Sequence, residues 1–164
     1  MIPWAQRSQE ERGLLNPCFC ANLLWHSAQA YAESGSPLSP EESFLVLPIV
    51  LHREIRERLP RSTRTSLAVW LSETPLARGK IARRAQLLVP FTKEALLFGG
   101  IYGFLHLDGD GLHADAQWQR AINRVLRVSS DEVRHCVKTA AFAGKWFAQT
   151  GGAVTVLALM GVRP

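Results

Sequence analysis

Phosphate-binding glycine loops, nucleophile elbows and long hydrophobic runs are all missing from this chain. No G-x-x-x-x-G-K-[ST] occurs, and Gly99-Gly100 and Gly151-Gly152 do not have G-x-G-x-x-G spacing, so nucleotide hydrolysis through a phosphate loop is excluded. No serine sits in G-x-S-x-G, and neither Ser62 nor Ser66 has an evident base beside it. Cysteine is scarce: Cys18, Cys20 and Cys136 do not make the even set of a disulfide framework. The longest apolar stretch, about 44–51, is far short of the ~20 residues that span a bilayer. The opening MIPWAQRSQEERG has two arginines and no apolar core, which argues against a secretory leader. The expectation is a cytoplasmic protein with reduced thiols, away from membranes. What is present is ordinary for a packed domain, with 47% hydrophobic and 20% charged residues in 164. The net charge of +5 suits either nucleic acid or an acidic protein surface as a partner.

Residues 1–15 read as a polar lead-in, and 16–164 as one helical domain. Asn16-Pro17 starts a helix, because Asn caps free N–H groups and Pro at the first position has none to lose. Gly35-Ser36-Pro37 ends it. Ser39-x-x-Glu42 is a capping box that opens a second helix, apolar over FLVLPIVL and charged over HREIRERLP. Pro48 predicts a kink there, and a buried strand over 44–51 is the alternative. Short helices follow at about 63–72, 76–88 and 91–102, the last two separated at Pro90. Ser129-x-x-Glu132 predicts a long helix to about Gln149, and AVTVLALM is a final helix or strand. Helical spacing assigns Phe19, Leu23, Phe44, Leu47, Leu51, Leu96, Phe142 and Trp146 to one core.

Segments 104–108 and 111–115 read as a hairpin around Gly109-Asp110. Helix, turn, helix and hairpin over 76–115 give a winged-helix-like segment. The predicted fold is therefore mostly α with a small β-hairpin wing. His106, Asp108, Asp110, His113 and Asp115 have the look of ligands in a row, but the rest of a calcium loop is absent, and Asp-Gly is turn chemistry. Cys18-x-Cys20 on a helix puts the thiols about 200° apart, unable to share one zinc. No catalytic set, metal or cofactor is expected.

Arg53, Arg56, Arg58, Arg61 and Arg64 crowd a short segment in which Glu54 and Glu57 are the only acids. Arginine in preference to lysine points to bidentate contact with carboxylates or phosphates, against the ordinary alternative of a solvated face. The would-be recognition helix, FTKEALLFGGIY, offers two charges and seven apolar side chains. That suits a core or a protein surface better than base edges.

The strings LLNPCFCANLL (14–24), FLVLPIVLHREIRERLPRSTRT (44–65), LVPFTKEALLFG (88–99) and GKWFAQTGGAVTVLALMGVRP (144–164) together resemble the middle component of bacterial three-component ABC-ATPase systems. The last string departs from the pattern only in having Met160 where Leu is expected before Gly161. The resemblance implies a non-catalytic adaptor between an SMC/Rad50-like ABC ATPase and an effector subunit, often a nuclease. It further implies a place in antiviral, Lamassu-type defence, with DNA contact through the complex. The contact residues it suggests, with the basic segment, are Arg53, Arg56, Arg58, Arg61, Arg64 and, in the closing block, Arg163. A winged-helix DNA-binding regulator using the same arginines is the alternative.

Overall fold

The caps seen in the sequence do start the long helices. In this computed structural model, which describes residues 6–162, the Asn16 side chain accepts from the N–H groups of Cys18 and Phe19 and opens α2 (Pro17–Ala32). Ser39 and Glu42 complete a reciprocal capping box at α3 (Pro40–Val50). A similar box, Ser8 with Glu11, opens α1 (Gln9–Leu14) inside the segment expected to be an unstructured lead-in. The remaining elements are α4 (Arg53–Arg58), α5 (Leu67–Glu73), α6 (Pro75–Ile101), β1 (Leu105–Leu107), β2 (Leu112–Ala114), α7 (Gln119–Arg127), α8 (Asp131–Ala148) and α9 (Ala153–Met160). The fold is mostly helical with one antiparallel hairpin, in which Leu105 faces Ala114 and Leu107 faces Leu112.

Several expectations need correction. Residues 44–51 are helical through Pro48, so the strand alternative falls. The cap of α8 is Ser130, one residue later than expected. Pro90 does not divide two helices: α6 runs unbroken for 27 residues. Proline there removes the hydrogen bond to the Gln86 carbonyl, but Gln86 and Pro90 both lie on the exposed side, where water can take the orphaned oxygen. The helix-turn-helix expected over 76–115 is therefore one long helix followed by a hairpin. Phe44 is half-buried and stands outside the core cluster, whereas Leu23, Leu47, Leu51 and Trp146 lie within it and Phe19, Leu96 and Phe142 pack against it.

The core is centred on α2 and α8, with α3 and α6 packed on them. The two central helices meet backbone to backbone. A Cβ built on Gly144 would lie 2.1 Å from the carbonyl oxygen of Ser27. Ala28, Ala140 and Ala143 are fully or almost fully buried, and so are the bulky Trp25, Trp146 and Phe147. The apolar C-terminal segment docks on this same core, as α9 buries Val156, Leu157 and Met160.

Alanine normally stabilises a helix interior over glycine, by about 0.5–1 kcal/mol. At Gly144 the sign reverses, because the added methyl must part α2 from α8, and Gly144→Ala is expected to cost about 1–3 kcal/mol. Gly79, in α6, has nothing within 4 Å of an added Cβ, so Gly79→Ala should raise stability instead. Urea unfolding of the two variants checks the pair of signs.

Candidate partner-binding surfaces

The basic segment divides by burial. Arg53 and Arg58 lie on the exposed side of α4, with one-turn ion pairs to Glu57 at 2.7 Å and to Glu54 at 3.3 Å. Arg56 turns inward instead: it is buried, donates to the Val50 carbonyl at 2.5 Å and forms an ion pair with Glu132 of α8. It was expected at the rim of the core, but it stitches α4 to the start of α8. Arg61 and Arg64 are exposed in the loop between α4 and α5, and among the described residues neither has an ion-pair partner. Arg163 lies outside the described residues.

That loop has no ladder of its own, yet it is fastened at both ends. The indole N–H of Trp70 donates to the Arg58 carbonyl, and that of Trp146 donates to the Thr65 carbonyl, each at 2.8 Å. The two rings meet edge to face at 5.4 Å. The arginines at 61 and 64 therefore project from a segment pinned to the core at both ends. Sequence reasoning took Trp146 for a core residue and missed the polar use of its N–H.

Elsewhere the polar residues are structural. Asp108 accepts from the N–H groups of Asp110 and Gly111, which holds its carboxyl below the usual range and shapes the hairpin turn. Asp115 accepts from the Gln117 N–H, with the same effect. His113 and His106 lie beside these two carboxylates, at 3.2 and 3.5 Å. Among the described residues no group of three or more His, Cys, Asp or Glu side chains is placed to hold a metal ion. Cys18 is exposed, while burial pushes the Cys20 thiol up to about 12. Burial also raises Glu42, which is fully enclosed, and lowers His26, whose ring stands edge-on to Trp25.

Two further surfaces stand out. An apolar groove of about 630 Å³ opens between α2, the end of α6 and α7, lined by Phe19, Phe98, Tyr102, Phe104, Trp118 and Val125 among others. On α7 itself, Arg120, Asn123, Arg124 and Arg127 surround a cleft of about 240 Å³, with no acidic residue between Asp115 and Asp131.

A family model described as ABC-three component (ABC-3C) system Middle Component 3 matches residues 4–164. No curated protein and no solved structure matches the chain.

Two outcomes separate structural groups from surface ones. Arg56→Ala should cost about 2–4 kcal/mol, since it strands the Val50 carbonyl and breaks a half-buried pair. Arg61→Ala should stay within about 0.5 kcal/mol of the parent in the same urea titration. The second outcome concerns His26, whose pKa is lowered from 6.5 to about 4 by burial. The unfolded chain takes up this proton first, so the stability contributed by the neutral ring is complete above about pH 6.5 and is lost as pH falls towards 4. The loss is on the order of 3 kcal/mol. His26→Gln should lack this slope, measured against the parent at pH 7 and pH 5. The opposite pull of Glu42 is common to both proteins and cancels.

Proposed function

The chain belongs to the middle-component family of ABC-three component systems, and on that premise we propose that it is a non-catalytic adaptor joining an SMC/Rad50-like ABC ATPase to an effector subunit. The setting we infer is a bacterial anti-phage defence complex in the cytoplasm, with the effector commonly a nuclease. The observation that carries the adaptor reading is the loop held by Trp70 and Trp146. It offers Arg61 and Arg64 in fixed positions beside Arg53 and Arg58, a surface made for recognition and lacking any nucleophile or base to do chemistry. Guanidinium groups of this kind fit carboxylates on an acidic protein surface bidentately. Arg163, in the closing block of the sequence, is proposed to belong to the same contact.

A stand-alone winged-helix regulator is the weaker reading. Its recognition helix would have to be the second half of α6, which is continuous with the first half and exposes Leu97 and Ile101 in place of base-reading side chains. DNA held by the ATPase is a different target for the same arginines, and salt separates the two. Phosphate contacts lose affinity by roughly one power of salt concentration per contact, and a desolvated carboxylate interface responds much less.

The test is co-purification and titration of the full chain with the ABC ATPase of its own system, against a variant carrying Arg58→Glu, Arg61→Glu and Arg64→Glu. We expect affinity to fall by about tenfold or more, with a shallow salt dependence in the parent complex. Retention of the ATPase with loss of DNA affinity alone would make the segment a DNA grip. Failure of the intact chain to bind any component of its system would end the adaptor reading.

A further inference from the structure

The longest helix leaves an apolar stripe uncovered along nearly its whole length. On α6 the side chains of Leu76, Leu87, Leu97 and Ile101 are 70%, 63%, 66% and 79% exposed. At about 100° per residue, all four fall within an arc of about 80° on one side of the helix. From the first to the last the stripe extends about 38 Å, at ~1.5 Å per residue. Scattered exposed leucines need no explanation, but four on one line of one helix do.

Two polar residues share the line, and each is informative. Glu94 is already neutralised, since Arg7 donates to both of its carboxylate oxygens at 2.8 and 3.1 Å. Arg83 lies within the same arc and Lys93 at its margin. Both are exposed, and among the described residues neither has an ion-pair partner. Gly79 also lies on this side, in a helix interior where glycine is unfavourable, and no atom of the chain approaches the place of a side chain. A bare backbone there lets another helix come close.

We propose that this stripe seats a helix of another component of the same three-component system, one with an apolar face flanked by carboxylates. The proposal rests on the adaptor reading and names the chemistry of the partner. The length of the stripe calls for an occupant of about 25 residues of helix, as in a coiled-coil arm, and not for a loop. Charge decides between a foreign helix and a second copy of this chain. In an antiparallel pairing of two copies, centred near Leu88, Arg83 would face Lys93, and in a parallel pairing each would face itself. Like charges oppose one another either way, whereas glutamates or aspartates beside a leucine face would satisfy both cations.

The test uses the full chain with the ABC ATPase and the effector of its system, each supplied separately. Two variants are compared with the parent: Leu87→Ser with Leu97→Ser, and Arg83→Glu with Lys93→Glu. All four positions are exposed, so unfolding midpoints should stay at the parental value and binding becomes the readout. The serine pair should weaken binding to one of the two components by about tenfold or more. The charge-reversed pair should weaken the same component, and a photo-crosslinker in place of Leu97 should map to an acid-flanked leucine stripe in it. Parental affinity in both variants would overturn the proposal while leaving the adaptor reading intact. A stable dimer of the isolated chain that the serine pair dissolves would assign the stripe to a second copy and overturn it likewise. If the intact chain binds neither component, the adaptor reading and this proposal fall together.

Discussion

Everything in this fold is arranged around the place where α2 and α8 touch through Gly144 and Ser27. With a carbonyl oxygen where a β-carbon would otherwise sit, the two helices are nearer than any side chain allows. Dispersion falls off steeply with separation, so backbone contact on this scale lets the flanking alanines, Ala28, Ala140 and Ala143, pack closely as well. The large residues are displaced to the edges of the contact. Trp25 and Trp146, both buried, lie where the helices diverge and there is room for an indole. α3 and α6 then cover what the central pair leaves open, and α9 closes the remaining gap with Val156 and Met160.

Placing tryptophans at the edges has a second consequence. Each has an N–H to satisfy, and the groups within reach at the edge of a helical core are the carbonyls of irregular segments. Trp25 donates to Asp115, Trp70 to Arg58, Trp118 to Gly103 and Trp146 to Thr65. Every one of those acceptors lies at a helix end or in a connection. The hairpin, its exit and the arginine loop are thus fixed by the same residues that fill the core. A connection held in this way can present charged side chains without a sheet or helix of its own, and this links the packing to the proposed recognition role.

Much of this was legible in the sequence, and the divide follows the range of the interaction. Caps are local: Asn16 and Ser39 each read correctly because the groups they satisfy lie two or three residues away. The hairpin around Gly109 and Asp110 was legible for the same reason. Ser8-x-x-Glu11 was equally local, and was missed only because the segment around it is polar. Other features were not local. Whether Pro90 breaks a helix depends on whether the orphaned Gln86 carbonyl faces water, and Phe44 is left at the margin by packing that its own periodicity does not encode. Arg56 could not be told from Arg53 or Arg58 by spacing alone. Its inward turn is set by Glu132, 76 residues away.

The same distinction bears on which cations are available to a partner. Exposed ion pairs one helical turn apart contribute only about 0.3–0.5 kcal/mol, so Arg53 and Arg58 can leave Glu57 and Glu54 for a better carboxylate at little cost. Arg56 cannot, because removing it from Glu132 and the Val50 carbonyl would leave buried groups without partners. Arg61, Arg64, Arg83 and Lys93 have no ion pair to give up at all. The net +5 of the chain is therefore not spread evenly. It is concentrated in side chains with weak internal partners or none, on a tethered loop and along one exposed helix face. A partner with clustered carboxylates gains most at these positions, because here new charge pairs form without breaking strong old ones.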